Sequence, residues 1–354
     1  MSLIHKIFRN TFRTIFLIAN TIVGIGFLAC AYSPSVSPAD HPIWACAGLF
    51  IPIFIFLNLC FIIFWLIVNC KFVILPILFF ILGWSSLSAY WPVNIFGESS
   101  DGGPQIKLLT YNVMAMRGNI SEYLLESEAD IVCLQEYPYT DKKLRARLQK
   151  KYPYIKTYNF HGINAVACLS KYPITKVSNI ELESAYNGSV QFNVRYSKDI
   201  TIPLIVNHLE SNKLDSHDKA VYKDMLKSPD EAKVKSGSKY LLRKLADAVS
   251  IRGPQADAVA ARIKEIDSPY IIVCGDFNDT PVSYVHNTIA EGLQDAYIQS
   301  ASGPGITYNR NFLYFRIDHI LAGTSYKVID CNVDRSIDES DHYPMYATLE
   351  IVKK

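Results

Sequence analysis

The sequence predicts an α/β layered domain carried behind an N-terminal helical membrane segment, on three observations. Half of the 354 residues are hydrophobic, and they are concentrated toward one end. Residues 1–100 hold four basic side chains (Lys6, Arg9, Arg13, Lys71) and two acidic ones (Asp40, Glu98), which leaves 31 of each sign for 101–354. Beyond residue 104, short apolar runs alternate with polar or helical stretches, as when strands and helices interleave in layers. Disorder, a collagen-like chain and a disulfide-stapled miniature are excluded by composition. A domain of roughly 250 residues buries a full core without staples.

Three apolar runs fill the first hundred residues, at 14–32, 43–68 and 72–91. Each is long enough for a helix to cross a ~30 Å hydrocarbon core. Pro52 and Asn58 interrupt the second, which is tolerated where neighbouring helices satisfy them. Trp44, Trp65, Trp84, Tyr90 and Trp91 lie near the proposed ends, where amphipathic rings prefer the interface. A cleaved signal peptide would account for the basic start and the first run, but two further runs would remain. Lys6, Arg9 and Arg13 precede the first run, and Lys71 sits between the second and third, while 33–42 and 92–104 carry no positive charge. With three spans, the positive-inside rule puts the N-terminus in the cytoplasm and the large domain outside. A re-entrant run would reverse the domain's side.

The expected division is a membrane segment over 1–91, a Pro/Gly/Ser-rich linker over 92–104 and a catalytic domain over 105–354. Strand-like runs follow the linker: IKLLTYNV, ADIVCLQE, AVACLSKYP, SVQFNVRY, IPLIVNHLES, YIIVCGDFN, RIDHILAG and PMYATLEIV. Several are continuously apolar, as strands covered on both faces are. Helices are expected at 118–128, 141–151 and 238–266. Residues 212–250, with nine Lys/Arg and six Asp/Glu, read as a solvated arm. The eight cysteines show no metal-binding spacing and read as buried free thiols.

Polar side chains gather at strand ends. TYN ends at Asn112, LQE at Glu136, NHLES supplies Asn207 and His208, and GDFND supplies Asp276, Asn278 and Asp279. RIDHI adds Asp318 and His319, and SDHYP adds Asp341 and His342. Carboxylates, carboxamides and imidazoles with no cysteine or serine nucleophile suit a hard divalent cation and a phosphate. Histidines beside carboxylates move protons or bind phosphate charge. Strand alternation turns His319 away from Asp318. Asp279 reads as a brace for its loop. Arg252 and Gln255 could serve phosphate or only a surface salt bridge, and His161, His217 and His286 read as isolated surface residues.

The ordered set TYN, LQE, NHLES, GDFND, RIDHI and SDHYP resembles the endonuclease/exonuclease/phosphatase superfamily over 105–352, in a membrane-anchored, bacterial-type form. The resemblance implies a four-layer α/β sandwich with two mostly antiparallel central sheets. It implies Mg²⁺, with Mn²⁺ as a substitute, held chiefly by Glu136 with Asn112 and Asp341. It implies that Asp276 activates water, Asn278 holds a phosphate oxygen, His342 pairs with Asp318 on the scissile phosphate, and His208 faces the leaving group. The expected activity is metal-dependent phosphodiester hydrolysis by an anchored enzyme, nuclease-type first and lipid phosphodiesterase of the sphingomyelinase or inositol-phosphate type second. A catalytically inactive phosphate-binding membrane protein is the reading from another class. Partners would be the bilayer and a phosphodiester, either nucleic acid or a lipid head group. The neutral 101–354 region lacks the basic surplus that usually draws nucleic acid.

Overall fold

The computed structural model describes residues 3–352 except 96, 161, 163, 185, 213–215, 228, 229, 311 and 312. The apolar N-terminal runs form α1 (Leu3–Tyr32), α2 (Pro42–Ala45), α3 (Ile51–Val68), α4 (Ile74–Leu82) and α5 (Trp84–Tyr90), with 3-10 turns between the first four. α3 runs antiparallel to α1. Near one end Trp65 Nε1 donates to Asn20 Oδ1 at 3.0 Å, and near the other Phe54 packs on Gly26. α4 runs parallel to α1: Phe79 lies on Gly24, Gly83 faces Phe27 and Ala31, and Ser86 Oγ donates to the Ala31 carbonyl at 2.6 Å.

Ile7–Ser35 and Pro42–Val68 are long and apolar enough to cross a membrane. The third run differs from the continuous span expected over 72–91. It is bent by 76° between Cys70–Leu82 and Trp84–Tyr90, and counts as a third span only if the bent pair is one. The break falls at Gly83, where a Cβ would stand 2.5 Å from Phe27 Cε1, and the polar Ser85 and Ser86 follow it.

The rest of the chain comprises β1 (Gln105–Asn112), α6 (Ile120–Glu126), β2 (Ile131–Tyr137), α7 (Lys142–Leu148), β3 (Tyr154–Asn159), β4 (Ala165–Ser170) and β5 (Ile174–Ile180). Next come β6 (Gly188–Arg195), β7 (Thr201–His208), α8 (Ser216–Lys227), α9 (Glu231–Glu265), β8 (Ile272–Asp276), α10 (Tyr284–Ile289), β9 (Gln294–Asp295) and α11 (Ala296–Ser300). The chain ends with β10 (Tyr308–Arg310), β11 (Leu313–Phe315), β12 (Asp318–Ala322), β13 (Tyr326–Val333) and β14 (Met345–Ile351). Two six-stranded sheets, ordered β13-β14-β1-β2-β4-β3 and β5-β6-β7-β8-β12-β9, face each other, and β10 pairs with β11 in a separate hairpin. Each large sheet is antiparallel except for one central parallel pair, β1 with β2 and β7 with β8.

Side-chain alternation builds the layers. Ile106, Leu108, Ile131 and Cys133 of the first sheet meet Leu204, Val206, Ile272 and Cys274 of the second in a shared core. The opposite faces of the same strands bury Leu109, Tyr111, Val132 and Leu134 under α6 and α7, and Ile205, Val273 and Leu321 under α9 and α10. Strands covered on both sides must be apolar throughout, which explains the continuous runs.

The described residues of the expected linker over 92–104 are irregular backbone, and they are tied down. Asn94 Nδ2 donates to the carbonyls of Ile298 and Ala301, and Glu350 accepts from Ser100 and from the amides of Asp101 and Gly103. The expected solvated arm over 212–250 is largely helical, and its far end has an apolar face. Ala246 and Val249 of α9 are buried with Ala45 and Cys46, joined by Leu49, Leu242 and Leu245. Burial of apolar surface thus seats the N-terminal segment on α9. Gly48 comes so close to the segment before α10 that a Cβ would lie 1.9 Å from the Val282 carbonyl oxygen. Gly48→Val should therefore cost about 1–3 kcal/mol by overpacking. A fall in the thermal unfolding midpoint of the detergent-solubilised full chain is the expected result, and an unchanged midpoint would mean that this contact does not form.

Candidate active site

Chain direction brings the polar strand ends to one rim. The parallel pairs β1–β2 and β7–β8 end there, and antiparallel β12 begins there, so His208 is registered with Asp276 and Asp276 with Asp318. The parity that sends Ile106 and Leu108 inward sends Asn112 inward too. The same parity in β7, β8 and β12 turns His208, Asp276 and Asp318 toward the space between the sheets. Glu136 needs an exception, because its parity matches Val132 and Leu134 on the outer face. The register of β2 against β4 shifts between Leu134 and Tyr137, and Glu136 sits at φ 55°, so an irregularity brings its side chain into the cavity. Asn278 has φ 53°; left-handed backbone at two non-glycine positions of one site is strain that the surrounding packing sustains.

A cavity of about 260 Å³ opens at this rim, lined by Asn112, Glu136, His208, Asp276, Asn278, Asp341 and His342. Asp276, 1% exposed, is its centre. It accepts from Asn112 Nδ2 at 3.1 Å, and its second oxygen accepts from the Asn278 amide at 2.8 Å. His342 Nε2 stands 3.6 Å from it and His208 Nε2 3.9 Å. Asp318 lies behind His342, at 2.7 Å from Nδ1, and its backbone amide, like that of Ile317, donates to Thr307 Oγ1. His208 Nε2 is also 3.9 Å from Glu136 Oε1, to which Asn112 Nδ2 donates at 3.3 Å.

These contacts set the charges. Burial disfavours the His342 cation, but Asp318 and Asp276 outweigh it and push the pKa up to about 10. Burial raises the Asp276 carboxyl, with Asp318 adding to the effect and both histidines opposing it. Burial also raises Glu136, with the Asn112 hydrogen bond opposing and the charge of Asp341 adding. Burial lowers His208, against the pull of Asp276. The site therefore favours the charged form of His342, beside Asp318 and Asp276, and disfavours that of His208.

All eight expected site residues come to this rim, with two differences in detail. Asn112 turns its amide nitrogen to Glu136 and Asp276, while its Oδ1 accepts from the Met114 amide at 3.2 Å, so it holds both carboxylates in place. Asn278 Nδ2 donates to the Leu209 carbonyl at 3.0 Å. Glu136 keeps 35% of its side chain exposed, and half-buried Asp341 lines the same cavity. Two carboxylates at an accessible rim fit a hard divalent cation. Among the described residues, Asp276, Asp318 and His342 also lie close enough to share an ion. That group is already joined by the 2.7 Å His342–Asp318 hydrogen bond.

Other expected positions resolve differently. Asn207 is buried and accepts from Ser189 Oγ at 2.6 Å. His319 faces the outer layer, with Nε2 on the Asp279 carbonyl at 3.0 Å. His286, expected at the surface, is buried with Nε2 2.7 Å from Asp295, because α10 packs onto the sheet there. His217 is exposed, and His161 lies outside the described residues. Arg252 makes a buried pair with Asp279 and donates to the Glu210 carbonyl at 3.0 Å, so a surface salt bridge is ruled out. Gln255 accepts from the Glu210 amide. Sequence reasoning missed Tyr308, which bridges to His342 and lines the cavity, and the apolar lining residues Leu49, Leu313, Phe315 and Ile317. Of these only Ile317 falls within a quoted motif, RIDHI.

Residues 109–342 match the model of the endonuclease/exonuclease/phosphatase family. The chain belongs to that family. Its members hydrolyse phosphoester bonds. Residues 13–90 match a second model, described as a domain of unknown function. No curated protein matches the chain. The human nocturnin catalytic domain, solved with a bound sulfate anion, is similar over 70% of this chain and 94% of its own, at 17% identity and TM-score 0.51. Truncated TDP2 from Caenorhabditis elegans covers 70% of this chain and 98% of its own, at 18% identity and TM-score 0.49. A 3′ phosphatase from Neisseria bound to a product DNA hairpin covers 68% and 98%, at 19% identity and TM-score 0.48. The nocturnin likeness supports the sandwich fold of the family.

The 2.7 Å Asp318–His342 contact generates a prediction for phosphoester hydrolysis. Asp318→Asn and His342→Ala should each cost on the order of a hundredfold or more, the range for positioned proton-transfer or charge-stabilising groups. The double variant should lose little more than either, since a pair acting as a unit is not additive. Single losses that multiply would separate the two roles.

Proposed function

We propose that the chain is an integral-membrane, divalent-metal-dependent phosphodiesterase. The central observation is Asp276, buried and held between Asn112, His208, His342 and the Asn278 amide at the mouth of the cavity. A carboxylate so placed orients a water and takes its proton as the oxygen attacks phosphorus in line with the departing ester oxygen. His342, its Nδ1 fixed by Asp318, turns Nε2 to the phosphate and balances charge that develops there. His208 stands on the other side, where it returns a proton to the departing oxygen. Asn278 supports the loop and lines the phosphate position. Glu136 and Asp341 would hold the cation, Mg²⁺ or Mn²⁺, with Asn112 keeping Glu136 in position. The ion, when bound, polarises the phosphoryl group and stabilises the leaving oxygen. A site with this whole set of groups argues against a purely phosphate-binding role.

Glu136→Gln tests the metal assignment. The variant should fold and lose most activity on a soluble phosphodiester, with only partial recovery at higher Mg²⁺. Wild-type turnover at limiting Mg²⁺ would refute the role.

The division into a membrane segment (1–91), a connection (92–104) and a catalytic unit (105–354) belongs to the same proposal. So does an external catalytic unit. Its support is that Pro38, between the first two apolar spans, and Gly48, in the 3-10 turn near the start of the second, pack on Gly253 and Val282 of the catalytic unit. The stretch between those helices therefore shares a side with the site, while Arg9, Arg13 and Lys71 lie toward the far ends of α1 and α3. The bent third run must then return the chain across. A reporter fused after Lys354 should be active outside the cytoplasm, and activity confined to the cytoplasm would overturn the assignment.

A further inference from the structure

The cavity has a second character besides its polar rim. Leu49, Leu245, Leu313, Phe315 and Ile317 also line it, making an apolar wall beside the catalytic groups. Four come from the catalytic unit. Leu49 comes from the 3-10 turn Cys46–Phe50, which runs directly into α3 at Ile51 and falls within the apolar stretch Pro42–Val68. One wall of the cavity is therefore continuous, along the chain, with a helix apolar enough to span a bilayer. Flanking Ile43, Trp44, Phe50 and Ile53 are exposed, an apolar surface suited to lipid, with a tryptophan where interfacial rings concentrate.

We infer that the substrate is a membrane phospholipid, whose apolar branch lies against the wall that the membrane segment helps to build. This rests on the phosphodiesterase reading and names the substrate of the same site. Aliphatic surface gains free energy by covering alkyl chain, whereas a nucleic acid would set sugar and phosphate against it. The guanidinium among the lining residues, that of Arg252, is engaged by Asp279 and the Glu210 carbonyl inside the protein. Beyond Glu136 and His208 lies a second cavity of about 280 Å³, with Asn164, Tyr186 and Asn187 in its lining, where the polar branch of a phosphodiester fits. Hydrolysis adds one water across a P–O bond. The water oxygen bonds to phosphorus and its proton passes to Asp276. The bond to the ester oxygen nearer His208 breaks, that alcohol leaves with the proton of protonated His208, and the proton on Asp276 then passes to His208 Nε2, 3.9 Å away, restoring both groups.

The test uses the full chain in detergent with Mg²⁺ and three substrates: mixed micelles of phosphatidylethanolamine and phosphatidylglycerol, a single-stranded DNA oligonucleotide, and bis(p-nitrophenyl) phosphate. Phospholipid hydrolysis is expected. Leu49→Asn should lower the ratio of kcat/KM for phospholipid to that for the nitrophenyl ester about tenfold, mainly through KM, because apolar contact is lost on one side only. Leu49→Met should restore the ratio, and Leu313→Asn should lower it independently if Leu49→Asn does not fold. Preferential cleavage of the oligonucleotide, or an unchanged ratio in the folded Leu49 and Leu313 variants, would overturn the inference while leaving the phosphodiesterase reading intact. Failure to hydrolyse the nitrophenyl ester with metal present would refute both.

Discussion

The site depends on a buried carboxylate that cannot be left alone. Asp276 ends a strand in the middle of the second sheet, where an unpaired charge would be costly to desolvate. Several neighbouring elements supply something to compensate. β1 supplies the Asn112 amide, β7 supplies His208, the segment before β14 supplies His342, and the following loop turns back to give the Asn278 amide. The left-handed backbone at Asn278 is the local cost of that last bond. Asp318, registered directly beside Asp276, would repel it were His342 not shared between them. The two carboxylates thus favour the imidazolium between them, and it offsets the repulsion of Asp276 by Asp318.

This constraint also explains why the sheets have their unusual centres. Antiparallel neighbours send alternate chain ends to opposite rims, so an entirely antiparallel sheet would scatter successive strand ends. One parallel pair in each sheet brings two consecutive C-terminal ends to the same rim, and β12 enters from that rim to place Asp318. The outer strands serve a different need: they widen the two apolar faces that hold the sandwich together.

The strands bearing these residues were legible because coverage on both faces makes them continuously apolar, and because polar residues end those runs abruptly. Strand alternation also anticipated that His319 would turn away from Asp318. Glu136 was legible only as a residue of a motif. Its orientation depends on an irregularity between β2 and β4, which alternation cannot foretell. The edge strands β3 and β5 mix exposed lysine and other polar residues with apolar ones, so they lacked a strong strand signal. His286 looked isolated because its partner, Asp295, arrives on a two-residue strand that pairs with β12. The bend at Gly83 was hidden for a related reason: hydropathy reports whether a run prefers lipid, while the close approach of Phe27 is a matter of helix packing.

The sequence marks a membrane segment over 1–91 followed by a Pro/Gly/Ser-rich linker. The observed contacts are those of a packed subdomain. Gly48 and Gly253 lack the side chains that would hold Val282 and Pro38 away, and Ala45 and Cys46 fill the face of α9 that the charged arm leaves apolar. Arg316 donates to the Ala89 carbonyl and stacks over Tyr297, which ties the end of α5 to the sheet carrying Asp318. A flexible tether would leave the catalytic unit free to turn relative to the apolar helices. These attachments instead hold the cavity at a defined place beside the beginning of α3, so the position of Leu49 in the cavity lining follows from the packing of the whole segment. Whatever enters the cavity meets the carboxylates of Glu136, Asp276 and Asp341 and part of the apolar helical segment together.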